Sequence, residues 1–178
     1  MTWTFDIRSA LLMGALLTVV VGGILMLASR SLPASYRSSL RWWVAATLML
    51  PASFVMLSLR DVAPAWFVIV LGNGLMASSF ACYAIALEEF NGLVRRHLYL
   101  WLTVAAVAVI SFWLGVLQPN LPLRLALVAM LSAALLGRSV WIIYRAPGSS
   151  GQMRHIAGAV LSLSAAILLY RAGTMFLE

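Results

Sequence analysis

The side chains able to do acid–base or metal chemistry are few, and most of them sit in one stretch. Residues 86–97 read ALEEFNGLVRRH: two adjacent carboxylates, Glu88 and Glu89, an Asn91-Gly92 turn, then Arg95, Arg96 and His97. A carboxylate pair performs general acid–base chemistry only when both groups reach a common substrate. Successive residues on a helix point about 100° apart, so these two do not form such a pair. His97 and His155 are the candidate ligands for a haem or a metal, since imidazole suits both. Two histidines alone lack the further ligands that a metal centre needs, and both follow an arginine at a helix entry, as interface anchors do. The chain has no nucleophile elbow, HExxH, Walker loop or glycine-rich dinucleotide turn. No catalytic residue, metal or cofactor is therefore assigned, and the chain reads as non-enzymatic.

What must position these groups is a set of apolar helices. Only 10% of the 178 residues are charged, against 63% hydrophobic. The mean hydropathy is +1.00, whereas a soluble domain carries about 25% charged residues. This is the composition of an integral membrane protein, whose first partner is the lipid bilayer. All twelve basic residues are arginine, which with abundant Ala and Leu fits a GC-rich bacterial genome and a bacterial inner (cytoplasmic) membrane. The net charge of +7 does not indicate nucleic acid, because the arginines stand singly or in pairs between apolar runs and form no basic face. Cys82, the single cysteine, lies in an apolar run, which excludes a disulfide framework and a cysteine-based metal site.

Compared with the roughly 20 apolar residues that span a bilayer, the uncharged runs predict six transmembrane helices at about 9–29, 42–59, 64–88, 98–116, 122–144 and 156–176. The fold class is all-α, a polytopic membrane helix bundle forming a single domain over residues 1–178. LQPNLP separates the fourth helix from the fifth, and RAPGSSGQMRH the fifth from the sixth. LAS at residues 27–29 resembles a signal-peptide cleavage site. The run from Ser9 to Ser29 exceeds the usual apolar core of about 7–15 residues, and Arg30, Arg37 and Arg41 follow it, so a retained helix is predicted. Arg30, Arg37, Arg41, Arg95, Arg96, Arg138, Arg145 and Arg154 fall on one side, against Arg8, Arg60, Arg124 and Arg171 on the other. The richer side is cytoplasmic by the positive-inside rule, which places both termini outside, in the periplasm.

Polar groups inside such helices are costly unless they meet a partner helix or a ligand. Asn73, deep in the third span, is expected to face the bundle interior, with inter-helix bonding favoured over ligand binding. Arg171, next to Tyr170 in the sixth helix, either snorkels to the outer interface or pairs with Asp61 or an anionic signal. Arg60 and Asp61 share that outer side. The candidate ligand contacts are thus Asn73, Arg60, Asp61, Tyr170, Arg171 and Trp43. Arg138, on the cytoplasmic side, poses the same choice as Arg171. Gly74, Ser78, Cys82 and Ala86 in the third helix, and Gly158, Ser162 and Ala166 in the sixth, form small-residue stripes that read as packing faces. Pro51, midway along the second span, is expected to bend it. Glu88 and Glu89 read as the membrane edge: Asn91 and Gly92 stop the helix, Arg95, Arg96 and His97 anchor the next one, and carboxylates pairing across a solvated turn contribute little.

Residues 40–92, LRWWVAATLMLPASFVMLSLRDVAPAWFVIVLGNGLMASSFACYAIALEEFNG, resemble the N-terminal membrane region of bacterial GGDEF-type diguanylate cyclases. The matching positions are Trp42 or Trp43 after the first cytoplasmic loop, Leu59-Arg60 before Pro64 and Trp66, Asn73 in the next helix, and Phe90 with Gly92 closing it. The resemblance implies a sensory input region, followed in that family by a seventh helix and a domain that makes cyclic di-GMP from GTP. Neither lies within these 178 residues. EEF at 88–90 is not the cyclase signature, because Ala86 and Leu87 stand where two glycines would form the substrate turn. The leading expectation is a non-catalytic sensory or regulatory membrane module in cyclic di-GMP signal transduction, taking a small or lipophilic signal, with a homodimer as a candidate assembly. The alternative is a small transporter or another stand-alone six-helix membrane protein.

Overall fold

The computed structural model describes residues 7–28, 36–59, 62–93, 97–145 and 151–177. Among these the secondary structure is helical: α1 (Ile7–Ala28), α2 (Arg37–Ser58), α3 (Ala65–Phe90), α4 (Leu98–Phe112) running into a π-turn at Trp113–Leu117, α5 (Leu121–Arg145) and α6 (Gly151–Leu177). Four of them, α2, α3, α4 with its π-turn, and α5, are long and apolar enough to cross a membrane. The chain is an all-helical membrane protein.

The helices begin and end where backbone groups find partners, which is not always where the apolar runs stop. α2 starts at Arg37 and α6 at Gly151, ahead of the predicted 42 and 156. A charge excludes a residue from lipid, but it does not interrupt the i→i−4 ladder. α5 is capped by Asn120, whose Oδ1 accepts from the Leu123 N–H at 3.0 Å and whose carbonyl accepts from Arg124 N–H at 3.0 Å. That satisfies donors the first helical turn cannot. α3 ends as predicted at Asn91-Gly92. Gly92 adopts φ +64°, its N–H donates to the Glu89 carbonyl, and the Leu93 N–H donates to the Glu88 carbonyl at 2.9 Å. This paired closure needs a residue tolerant of the left-handed region, and glycine has no Cβ to clash there.

α3 is the central helix. It packs on α2, α4 and α5, while α1 lies against α2 and α6 against α5. The core beside it is built from Ala77, Ala81, Ala84 and Ile85 of α3, Leu100 and Val107 of α4, and Val128 and Leu135 of α5. In lipid the hydrophobic effect does not drive helices together, so close approach of small residues and inter-helix hydrogen bonds must do so.

The α2–α3 seam has that character. Ser39 Oγ donates to the Ala86 carbonyl at 2.6 Å, and Ser79 Oγ donates to the Ala46 carbonyl at 2.8 Å. At Gly72 an added Cβ would lie 2.7 Å from Leu57 Cδ2 and 3.7 Å from the Ser53 carbonyl oxygen. Ser39, Ala46 and Ser53 recur every seven residues on one helix, facing Ala86, Ser79 and Gly72 at the same spacing on the other. That period keeps one stripe of each helix on the other along its whole length.

This seam corrects the small-residue stripes read from the sequence. Cys82 and Ala86 are buried, but a Cβ on Gly74 would meet open space and Ser78 is only partly buried. In α6, Gly158 does receive a neighbour, the Tyr144 ring, whereas Ser162 and Ala166 are exposed. A four-residue stripe drifts around the helix, while a seven-residue one stays on the partner. Pro51 is buried within α2, which remains helical on both sides of it.

Candidate functional site

The end of α3, the start of α4 and the C-terminal part of α5 meet at one carboxylate. Glu88 lies in the last turn of α3, where the outward-pointing carbonyls repel negative charge, and its side chain is only 1% exposed. It continues the buried face of Ala77, Ala81 and Ile85, so helix geometry carries it inward while Glu89 turns partly outward. A carboxylate there requires donors, and three converge on one oxygen. Arg138 of α5 donates to Glu88 Oε1 from Nε at 3.0 Å and from Nη2 at 2.6 Å. Tyr99 of α4 donates its hydroxyl to the same oxygen at 2.7 Å.

The second oxygen is different. Glu88 Oε2 is buried without a hydrogen-bond partner, and so is His97 Nδ1. The two lie 3.4 Å apart. His97 stands immediately before α4, with its carbonyl accepting from the N–H groups of Leu100 and Trp101. The Arg138 guanidinium also lies over the Trp141 ring, 4.2 Å from its centroid, and 5.6 Å from that of Tyr99. Arg145 also lies over the Trp141 ring, 4.7 Å from its centroid. Such stacking holds the planar fork in the orientation that a carboxylate needs. α2 is tied in two residues away through Ser39 and the Ala86 carbonyl.

The reading of Glu88 as a solvated membrane edge is therefore wrong. Its partner is Arg138, fifty residues on, and the carboxylate is shielded from water while the Arg138 side chain keeps 29% exposure. Arg95 and Arg96, the partners expected across the turn, lie outside the described residues. Arg138 does not extend towards headgroups but points into the bundle. The sequence did carry one signal: a lone arginine within the apolar run of the fifth helix, and a carboxylate in register with a small-residue face of the third.

The other residues singled out in the sequence are dispersed. Asn73 faces the interior as expected, and its Nδ2 donates to Ser111 Oγ of α4 at 3.0 Å, with Ser111 fully buried. Trp43 meets Tyr83 edge-on, with centroids 5.2 Å apart. Tyr83 in turn shares a hydrogen bond with Thr47 at 3.2 Å. Tyr170 is 76% exposed. Arg60 and Asp61 lie outside the described residues, as does the Arg171 side chain. His97 faces Glu88, whereas His155 lies beside Tyr144, with ring centroids 6.3 Å apart. Among the described residues no three His, Cys, Asp or Glu side chains converge as metal ligands.

The fold and the site together define a helical membrane protein built around a buried Glu–Arg pair joining three helices. No family model matches the chain, and neither does any curated protein or solved structure.

Proposed function

We propose that this chain is a non-catalytic sensory or regulatory module of a bacterial inner membrane, similar to the input regions of diguanylate cyclases, with the Glu88 junction as its switching element. In this reading the chain crosses the membrane six times with both termini outside, and the junction sits at the cytoplasmic face. The observation that supports it is the convergence of Arg138, Tyr99 and His97 from two helices on one buried carboxylate of a third. Burying charge in membrane helices is costly, and the best-attested return is a registry or switch between discrete arrangements. A junction of this kind is either intact or broken, so a signal shifting any one of α3, α4 or α5 is passed to the other two. Transport would call for helices broken near the midplane. α2 runs on through Pro51, and the π-turn of α4 lies at the helix end.

The test is to append a seventh apolar helix and a diguanylate cyclase domain after Glu178 and to measure cyclic di-GMP. With equal amounts in the membrane, Arg138→Ala is expected to change the output at least about fivefold, the lower end of usual allosteric coupling. Unchanged output would overturn the regulatory reading. A periplasm-dependent reporter fused directly after Glu178 is expected to be active; activity confined to cytoplasmic reporters would overturn the orientation.

A further inference from the structure

The unequal loading of the two Glu88 oxygens singles out a proton. Oε1 receives three donated hydrogen bonds, whereas Oε2, equally buried, receives none and faces His97 Nδ1 at 3.4 Å. Both facing atoms are shielded from solvent and lack a hydrogen-bond partner. No water fits between heavy atoms so spaced, since each contact would need at least about 2.7 Å of its own. A hydrogen does fit, and a small closing movement would make it a hydrogen bond. The two side chains also differ in access: that of His97 is 21% exposed and that of Glu88 1%. Histidine is the side chain whose charge ordinarily changes between about pH 5 and 8.

We infer that Glu88 Oε2 and His97 Nδ1 form a proton site through which the junction reads pH. Hydronium delivers the proton at the exposed edge of His97, an O–H bond breaking as the ring N–H forms, and the resulting imidazolium carries on its shielded Nδ1 an N–H that faces Oε2. With the proton present, the carboxylate is held on both oxygens, by Arg138 and Tyr99 on one side and His97 on the other. The start of α4 is then drawn onto the end of α3. Without it, Tyr99 is the α4 side chain left hydrogen-bonded to the carboxylate. Of the other described ionisable groups on the elements packed here, Glu89 adjoins Glu88 on α3, Arg145 on α5 stacks on Trp141, and Arg37 and Arg41 at the start of α2 are exposed. Arg95 and Arg96 adjoin the pair in sequence and lie outside the described residues. None of the described groups stands between Oε2 and Nδ1, so His97 is the one that answers to Oε2. This inference rests on the junction being the switching element, and adds what it responds to.

The experiment uses the full chain in lipid nanodiscs. The chain has two histidines, so His155→Gln leaves His97 as the only imidazole. Its ring resonances, together with those of Tyr99 and the Trp141 indole, are followed by NMR from about pH 5 to 8. The expected result is a single titration in which Tyr99 and Trp141 move with the same midpoint as His97. In Glu88→Gln, the imidazole is expected to titrate while Tyr99 and Trp141 no longer follow it. In His97→Gln, which keeps the Glu88–Arg138 pair and guards against a misfolded Glu88 variant, Tyr99 and Trp141 are expected to lose their pH response. An imidazole silent over this range, Tyr99 and Trp141 static while it titrates, or a pH response persisting in His97→Gln would each overturn the proton site. If Arg138→Ala alters the fused cyclase but none of these pH effects is seen, the proton assignment fails and the regulatory reading stands. If the pH effects are seen but the cyclase is indifferent to Arg138→Ala, the reverse holds.

Discussion

The α2–α3 seam and the Glu88 junction both hold α3 in place, by opposite means. The seam distributes its hold: hydroxyls of Ser39 and Ser79 donate to backbone carbonyls two turns apart, and Gly72 admits Leu57 at the far end. Each contact is small, uncharged and independent of the next. The junction concentrates its hold on one carboxylate, with three donated hydrogen bonds on a single oxygen. Removing a seam hydroxyl leaves a carbonyl still bonded within its own helix. Removing Arg138 leaves a buried carboxylate with two of its three donated hydrogen bonds gone. Under the regulatory reading proposed above, the junction rather than the seam is where a conformational equilibrium is set.

Substitutions sharpen this contrast in order of size. Arg138→Ala is expected to cost the most, about 3–5 kcal/mol, because one partner of a buried pair is removed. Unfolding of the purified protein in mixed micelles measures it, and a loss under about 1 kcal/mol, as for a solvated surface pair, would contradict the burial of Glu88. Tyr99→Phe deletes one hydrogen bond to a charged acceptor, with an expected loss of about 1.5–3 kcal/mol in the same assay. Ser79→Ala, at the middle of the seam, is expected to cost about 0.6 kcal/mol, the usual worth of an inter-helix hydrogen bond in a membrane. A seam substitution as costly as Arg138→Ala would erase the distinction between the two regions. Tyr170→Phe, on an exposed face of α6, is expected to shift stability by no more than about 0.5 kcal/mol.

Much of the architecture was legible because a bilayer imposes a length scale. Runs bounded by Arg41 and Arg60 or by Asp61 and Glu88 could be counted against it, and Asn91-Gly92 could be recognised as a helix stop from residue type alone. The starts of α2 and α6 were missed because hydropathy marks where lipid begins, whereas the helix is set by backbone bonding. Asn73 could be assigned to the interior because an amide has few other places to go, but its partner Ser111 could not, being a weakly polar residue on another helix. The junction was not legible as a site. Sequence proximity pairs Glu88 and Glu89 with each other and with Arg95 and Arg96, whereas the partner that matters is brought from α5 by tertiary packing. Which of two adjacent glutamates turns inward follows from the buried face through Ala77, Ala81 and Ile85, a phase that an almost uniformly apolar helix conceals.

The central claim is that Glu88 and Arg138 act as one unit, and a double-mutant cycle tests it most directly. Glu88→Gln, Arg138→Met and the double variant would be unfolded in mixed micelles beside the unsubstituted chain. The expected result is a coupling of about 2 kcal/mol, with the double variant losing much less than the sum of the singles, since the second substitution removes the group that the first left unpaired. Losses that add to within about 0.5 kcal/mol would contradict the claim and reduce the junction to two side chains that happen to lie side by side.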